Sequence, residues 1–162
     1  MINACLLICS NGIQAQTTET KPNQTKLMKQ MVGIWKCNIS KDTTLFWDAT
    51  PYETGLLVYD KYHTKGKTVI FGKEIYGYDN SIDKYIDAGA FKGKEMGVYV
   101  FWFSSDSTYE LIPYGDISNP EKALFKVEGE FKSPDKIVET ETVKNKHVKT
   151  VTWTRIRFNY RP

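Results

Sequence analysis

From residue 34 onward, apolar and polar residues alternate with period two in short runs, each closed by turn-forming residues. Such alternation marks a strand with one buried face, whereas an amphipathic helix repeats every three to four residues. On that basis strands fall at 34–41, 54–63, 67–78, 82–91, 97–104, 107–113, 122–131, 136–143 and 147–158. Lys65-Gly66, Asp79-Asn80, Lys92-Gly93, Ser105-Asp106, Ser133-Pro134 and Asn145-Lys146 supply the turns. Residues 43–52, between the first two strands, are either a further strand or a loop, and 114–121 is the one long irregular connection. Helical spacing occurs once, in Leu27, Met28 and Met31, after a cap at Asn23 or Thr25 and before Gly33. Eight to ten strands joined consecutively by tight turns predict an all-β, up-and-down antiparallel barrel with a short N-terminal helix. Closure also removes exposed strand edges.

The pattern also assigns faces near the chain's end. Phe125, Val127, Gly129 and Phe131 share one face, and Lys126, Glu128 and Glu130 the other. If Phe131 lies opposite Lys136, then Val138, Thr140 and Thr142 point inward, and Glu139 and Glu141 join the solvated outer charges. An Asn145-Lys146 turn then carries Val151, Trp153 and Arg155 to the inner face. The expected cup is lined by Phe125, Val127, Val151 and Trp153, with Thr140, Thr142 or Glu74 orienting a polar end. Glu74 lies where both strand faces are apolar, so it points inward as an anchor or outward to pair with a lysine; the outward reading is preferred. Strand 97–104 is apolar on both faces, so its outer face needs cover from the helix, a loop, or a second copy of the chain in a homodimer.

Composition narrows the function classes. The chain has 162 residues, enough for one domain with a substantial core. Its 22 basic and 19 acidic residues are interspersed, giving net charge +3 without the concentrated patch that nucleic-acid binding needs. Residues 1–15 are apolar around Ala4–Cys9 and read as the back half of a secretory signal peptide cut after Ala15, its basic start lying upstream of Met1. The expected organisation is this signal, a flexible lead-in over 16–24, and a barrel domain over 25–160, secreted or periplasmic, with no transmembrane segment in the mature chain. Cleavage leaves Cys37 alone, as a buried inert thiol with no disulfide partner. One cysteine and two histidines argue against structural zinc, and no metal site is expected.

Gly33-Ile34-Trp35 after a short helix, the all-β meander and the late Arg155 together resemble the calycin superfamily, and within it the small secreted bacterial lipocalin-like domains of unknown function. Tyr78-Asp79 fits a mid-chain turn common in those domains. The resemblance implies a lipocalin-like barrel whose floor is Trp35, with Arg155 packed across its indole and Arg157 a second choice for that role. It also implies that the connection holding Leu45, Phe46 and Trp47 lies over the open mouth as a lid; the alternative is that these residues continue the first sheet. The cysteine bridge of animal lipocalins is absent. So is the glycine-rich continuation of haem-binding relatives, since Lys36-Cys37-Asn38-Ile39 follows the tryptophan.

Other reactive residue types have bland placements. His63 and His147 flank turns, and haem ligation by His147 is set aside, so no cofactor is expected. Asp79, Asp83 and Asp87 lack the spacing and central glycine of a calcium loop. No nucleophile–base pair is visible, which leaves a barrel enzyme as the third-ranked function. The first is extracytoplasmic binding of a small apolar or amphipathic molecule inside the barrel. The second is a filled barrel acting as an envelope or protein-interaction module.

Overall fold

The computed structural model describes residues 21–156; the expected signal peptide at 1–15, most of the expected lead-in, and Arg157 lie outside them. Ten antiparallel strands close into a barrel in which each pairs with its sequence neighbours and the last pairs with the first. They are β1 (Gly33–Ser40), β2 (Thr43–Tyr52), β3 (Gly55–Thr64), β4 (Lys67–Asp79) and β5 (Lys84–Phe91). There follow β6 (Gly97–Phe103), β7 (Thr108–Pro113), β8 (Phe125–Ser133), β9 (Lys136–Val143) and β10 (Lys146–Ile156). The expected all-β up-and-down barrel is therefore present, and 43–52 is a strand. Leu45, Phe46 and Trp47 do not form a lid: they pair with β1 and β3 along their length. Leu45 and Trp47 face inward and Phe46 outward, as period two requires of consecutive strand residues.

A short helix α1 (Gln24–Met28) is capped by Asn23, whose side chain accepts from the Lys26 N–H, and a 3-10 turn at Lys29–Met31 extends it. Gln24, placed by sequence in the flexible lead-in, is instead the first helical residue and is buried. Its amide donates to the Phe103 carbonyl at 2.9 Å and accepts from the Phe103 N–H at 2.8 Å, which fixes the helix to the end of β6. Leu27, Met28 and Met31 then close the barrel's lower end against Trp35.

Trp35 and Arg155 are direct cross-strand partners at the β1–β10 seam. The guanidinium carbon stands 4.1 Å from the indole centroid, and Arg155 also donates to the carbonyls of Val32, Gln30 and Pro134. Trp35 is fully buried and donates to the Met31 carbonyl at 2.8 Å. Gly33 is required beneath the arginine. Its φ is +129°, and a Cβ there would lie 2.9 Å from Arg155 Nη1.

Two bulges change the faces of the last hairpins. Lys132 is an extra residue between Phe131 and Ser133, so Phe131 lies opposite Ile137 and not Lys136. That single step turns β9 over: Ile137, Glu139 and Glu141 face inward, and Val138, Thr140 and Thr142 face outward. Val148 is a second extra residue, between His147 and Lys149. It restores the parity, so Val151, Trp153 and Arg155 face inward as expected.

The outer face of β6 is covered by the chain itself. Val100 is buried against Ile112 and Ala123, with Ile82, Ile86, Trp102 and Ile117 packed around them. The connection over 114–124 supplies Ile117 and Ala123, which cover Val100, while Val98 on the same face stays exposed. Among the described residues, no helix is long and apolar enough to cross a membrane.

Candidate functional site

Above the Trp35 floor lies a cavity of about 190 Å³. Trp47, Tyr76, Phe101, Tyr109, Leu111, Val127, Ile137 and Trp153 wall it, and Asp60, Glu74 and Glu139 present carboxyl groups to it. A further space of about 90 Å³ shares Val127, Glu139 and Trp153 with it and continues toward the rim past Cys37, Leu45, Glu141, Lys149 and Val151.

The carboxyl groups reach the interior because glycines stand opposite them. Asp60 pairs across the ladder with Gly72, Glu74 with Gly89, and Glu139 with Gly129. A Cβ at Gly72 would come within 2.7 Å of Asp60 Oδ2, and one at Gly89 within 3.2 Å of Glu74 Cγ. At Gly129 the vacated volume is filled by the Tyr109 ring, 2.0 Å from where a Cβ would stand. Small residues on one strand thus make room for polar side chains on the next.

Asp60 on β3, Glu74 on β4 and Asp87 on β5 form one acidic cluster, with Glu74 in hydrogen-bonding reach of both aspartates. Burial is the main cause that raises all three. Asp60 is pushed up to about 9, with Glu74 adding repulsion; Glu74 is pushed up to about 8, with Asp87 adding repulsion; and Asp87 is pushed up to about 7. The Tyr76 hydroxyl donates to Glu74 Oε2 at 3.0 Å. Among the described residues, no N–H or hydroxyl donates to Asp60 Oδ2 or Asp87 Oδ1. Such orphaned buried oxygens are rare in folded proteins and call for a proton or a ligand.

Glu139 is held differently. It accepts from the Tyr109 hydroxyl at Oε1 and from the Trp153 indole N–H at Oε2, both at 2.5 Å. Burial raises it, while these two donors and the more distant Lys149 lower it. At the rim, Lys149 Nζ and Glu141 Oε2 pair at 2.7 Å.

Of the ligand-lining residues expected from sequence, Val127 and Trp153 line both spaces, Val151 lines the upper one and Glu74 the lower. Phe125 packs on Tyr99 with ring centroids 6.1 Å apart. Thr140 and Thr142 are corrections: they lie on the outer face, where Thr140 meets Thr150. Glu139 and Glu141, expected in water, are inside for the same reason. Glu74 takes the inward of its two orientations. His63 bonds Thr68 and His147 bonds Thr150 at exposed positions beside turns. Cys37 is buried, and burial raises its thiol.

Sequence reasoning missed Asp60 and weighed Asp87 only as a rejected calcium ligand, although a signal for both existed. Each shares strand parity with apolar neighbours, Asp60 with Leu56 and Val58, Asp87 with Tyr85. An acidic residue in phase with a core face marks an inward carboxylate. Compared with models of known protein families and with curated proteins, the chain matches none.

Proposed function

We propose that this protein binds a small amphipathic molecule inside a lipocalin-like barrel, outside the cytoplasm. The observation that carries this reading is the cavity above Trp35, with aromatic walls and carboxyl groups on two sides. Removing a ligand's apolar surface from water against those walls supplies the driving force. The buried polar groups fix its orientation. A cavity of about 150 Å³ accommodates benzene, so one of about 190 Å³ suits a ligand with one or two heavy atoms more. The Trp35–Arg155 floor supports kinship with the calycins, and the apolar segment at residues 1–15 supports export.

The filled-barrel reading is the weaker one, because the 114–124 connection covers Val100 on the outer face of β6 and leaves only Val98 of that face exposed. Native extraction from the host followed by mass spectrometry of bound compounds tests the binding proposal. Co-purification of a small organic molecule supports it. Protein that is consistently empty, with no thermal shift across a panel of small aromatic and aliphatic compounds, overturns it.

A further inference from the structure

The binding reading leaves open what the polar end of the ligand is, and the cavity's charge distribution bears on that. Five carboxyl groups face the barrel interior, at Asp60, Glu74, Asp87, Glu139 and Glu141. Glu139 is satisfied by Tyr109 and Trp153, and Glu141 by Lys149. Glu74 accepts from the Tyr76 hydroxyl, but among the described residues no lysine or arginine pairs with Asp60, Glu74 or Asp87. Asp60 is only 8% exposed, lines the cavity, and carries an oxygen without a partner. Asp60 thus brings an acceptor without a donor to the cavity wall, in a chain whose overall charge is positive.

Three adjacent buried carboxyl groups cannot all ionise without a compensating cation, because desolvation and mutual repulsion act together. Burial and repulsion therefore favour their protonated forms, and Glu74 lies within hydrogen-bonding reach of both Asp60 and Asp87. The titratable groups facing the cluster are Tyr76 on β4 and Tyr99 on β6, with Glu139 across the cavity; none is cationic. A ligand cation would replace one of their protons. Among the described residues, no group of three such side chains could hold a metal ion, whereas Trp47, Tyr76 and Phe101 offer ring faces and edges that suit an organic cation's body.

We infer that the cavity takes a compact organic cation, an amine on a small apolar body, with its ammonium group against Asp60 and Glu74 and its body against Trp47, Tyr76 and Phe101. This rests on the binding reading above. Entry of the ammonium group displaces one carboxyl proton to solvent, so binding and proton release are coupled.

Titration calorimetry with benzylamine and its neutral counterpart benzyl alcohol, at pH 7 in buffers of different ionisation heat, tests the inference. The expected result is binding of the amine at least about tenfold tighter than the alcohol. About one proton should be released with the amine and none with the alcohol. In Asp60→Asn/Glu74→Gln the preference should fall to within about threefold while alcohol binding persists. If that variant fails to fold, the wild-type affinity ratio and proton count still decide. Equal binding of the two probes without proton release overturns the cation assignment and leaves the binding reading standing. An amine preference that survives in the folded variant overturns the role of Asp60 and Glu74. Failure of both probes to bind overturns the inference together with the reading beneath it.

Discussion

Glu139 and Trp153 meet inside the barrel, the carboxylate accepting the indole N–H at 2.5 Å while the Tyr109 hydroxyl bonds its other oxygen. The three side chains join β7, β9 and β10 across the cavity. Among the described residues, neither the tyrosine nor the tryptophan has another hydrogen-bond partner for its polar atom. Glu139→Ala would leave both donors buried without acceptors and is expected to cost about 2–4 kcal/mol. Glu139→Gln keeps an acceptor and should cost less than half as much. Urea denaturation followed by tryptophan fluorescence measures both; equal costs would show that the carboxylate's hydrogen bonds do not matter.

The acidic cluster sets an unusual pH dependence. Asp60, Glu74 and Asp87 hold protons in the fold well above the pH at which they lose them in the unfolded chain. The folded state therefore binds more protons between the ordinary carboxylate range and about pH 9, and stability falls as pH rises through that window. Each proton so held contributes a slope of at most about 1.4 kcal/mol per pH unit. Denaturation midpoints should decline from pH 5 to pH 9, and Asp60→Asn should flatten the decline. A midpoint that rises over this range would contradict the protonated cluster.

The floor is testable by truncation. Trp35→Ala removes a fully buried indole and is expected to cost about 3–5 kcal/mol. Arg155→Ala loses the cation–π contact and the bonds to the Val32, Gln30 and Pro134 carbonyls, for about 2–3 kcal/mol. Arg155→Lys should not restore it, because a single ammonium cannot reproduce the planar fork. Thermal unfolding of the three variants decides this, and a loss below about 1 kcal/mol for Trp35→Ala would remove it from the core.

Gln24 gives a more local prediction. Gln24→Ala breaks both hydrogen bonds to the Phe103 backbone and should cost about 1–3 kcal/mol. Amide exchange should accelerate first in α1 and at Phe103, with the β3–β4 ladder unaffected. Uniform acceleration would mean the helix is not a separable closure.

Much of the architecture was legible because strand periodicity and turn chemistry are local. The runs from 54–63 to 136–143 match their strands to within a few residues, since alternating apolar side chains need only one buried face to form. The pairing of Trp35 with Arg155 was legible too, for a less direct reason. Two extra residues, Lys132 and Val148, shift the register once and then shift it back, so an alignment without bulges reaches the right arginine through an inverted β9.

The sequence by itself determined an antiparallel meander of eight to ten strands, the helix before Gly33, and the tryptophan and arginine that close the floor. Tertiary structure decided which carboxyl groups enter the barrel and where the outer face of β6 finds its cover. Facing depends on bulges and on glycines across the ladder, as at Gly72, Gly89 and Gly129, and these act between strands, beyond the reach of a period-two pattern. A glutamate in a strand costs little outside and much inside. Glu139 is inside only because Gly129, Tyr109 and Trp153 are brought together around it from three other strands.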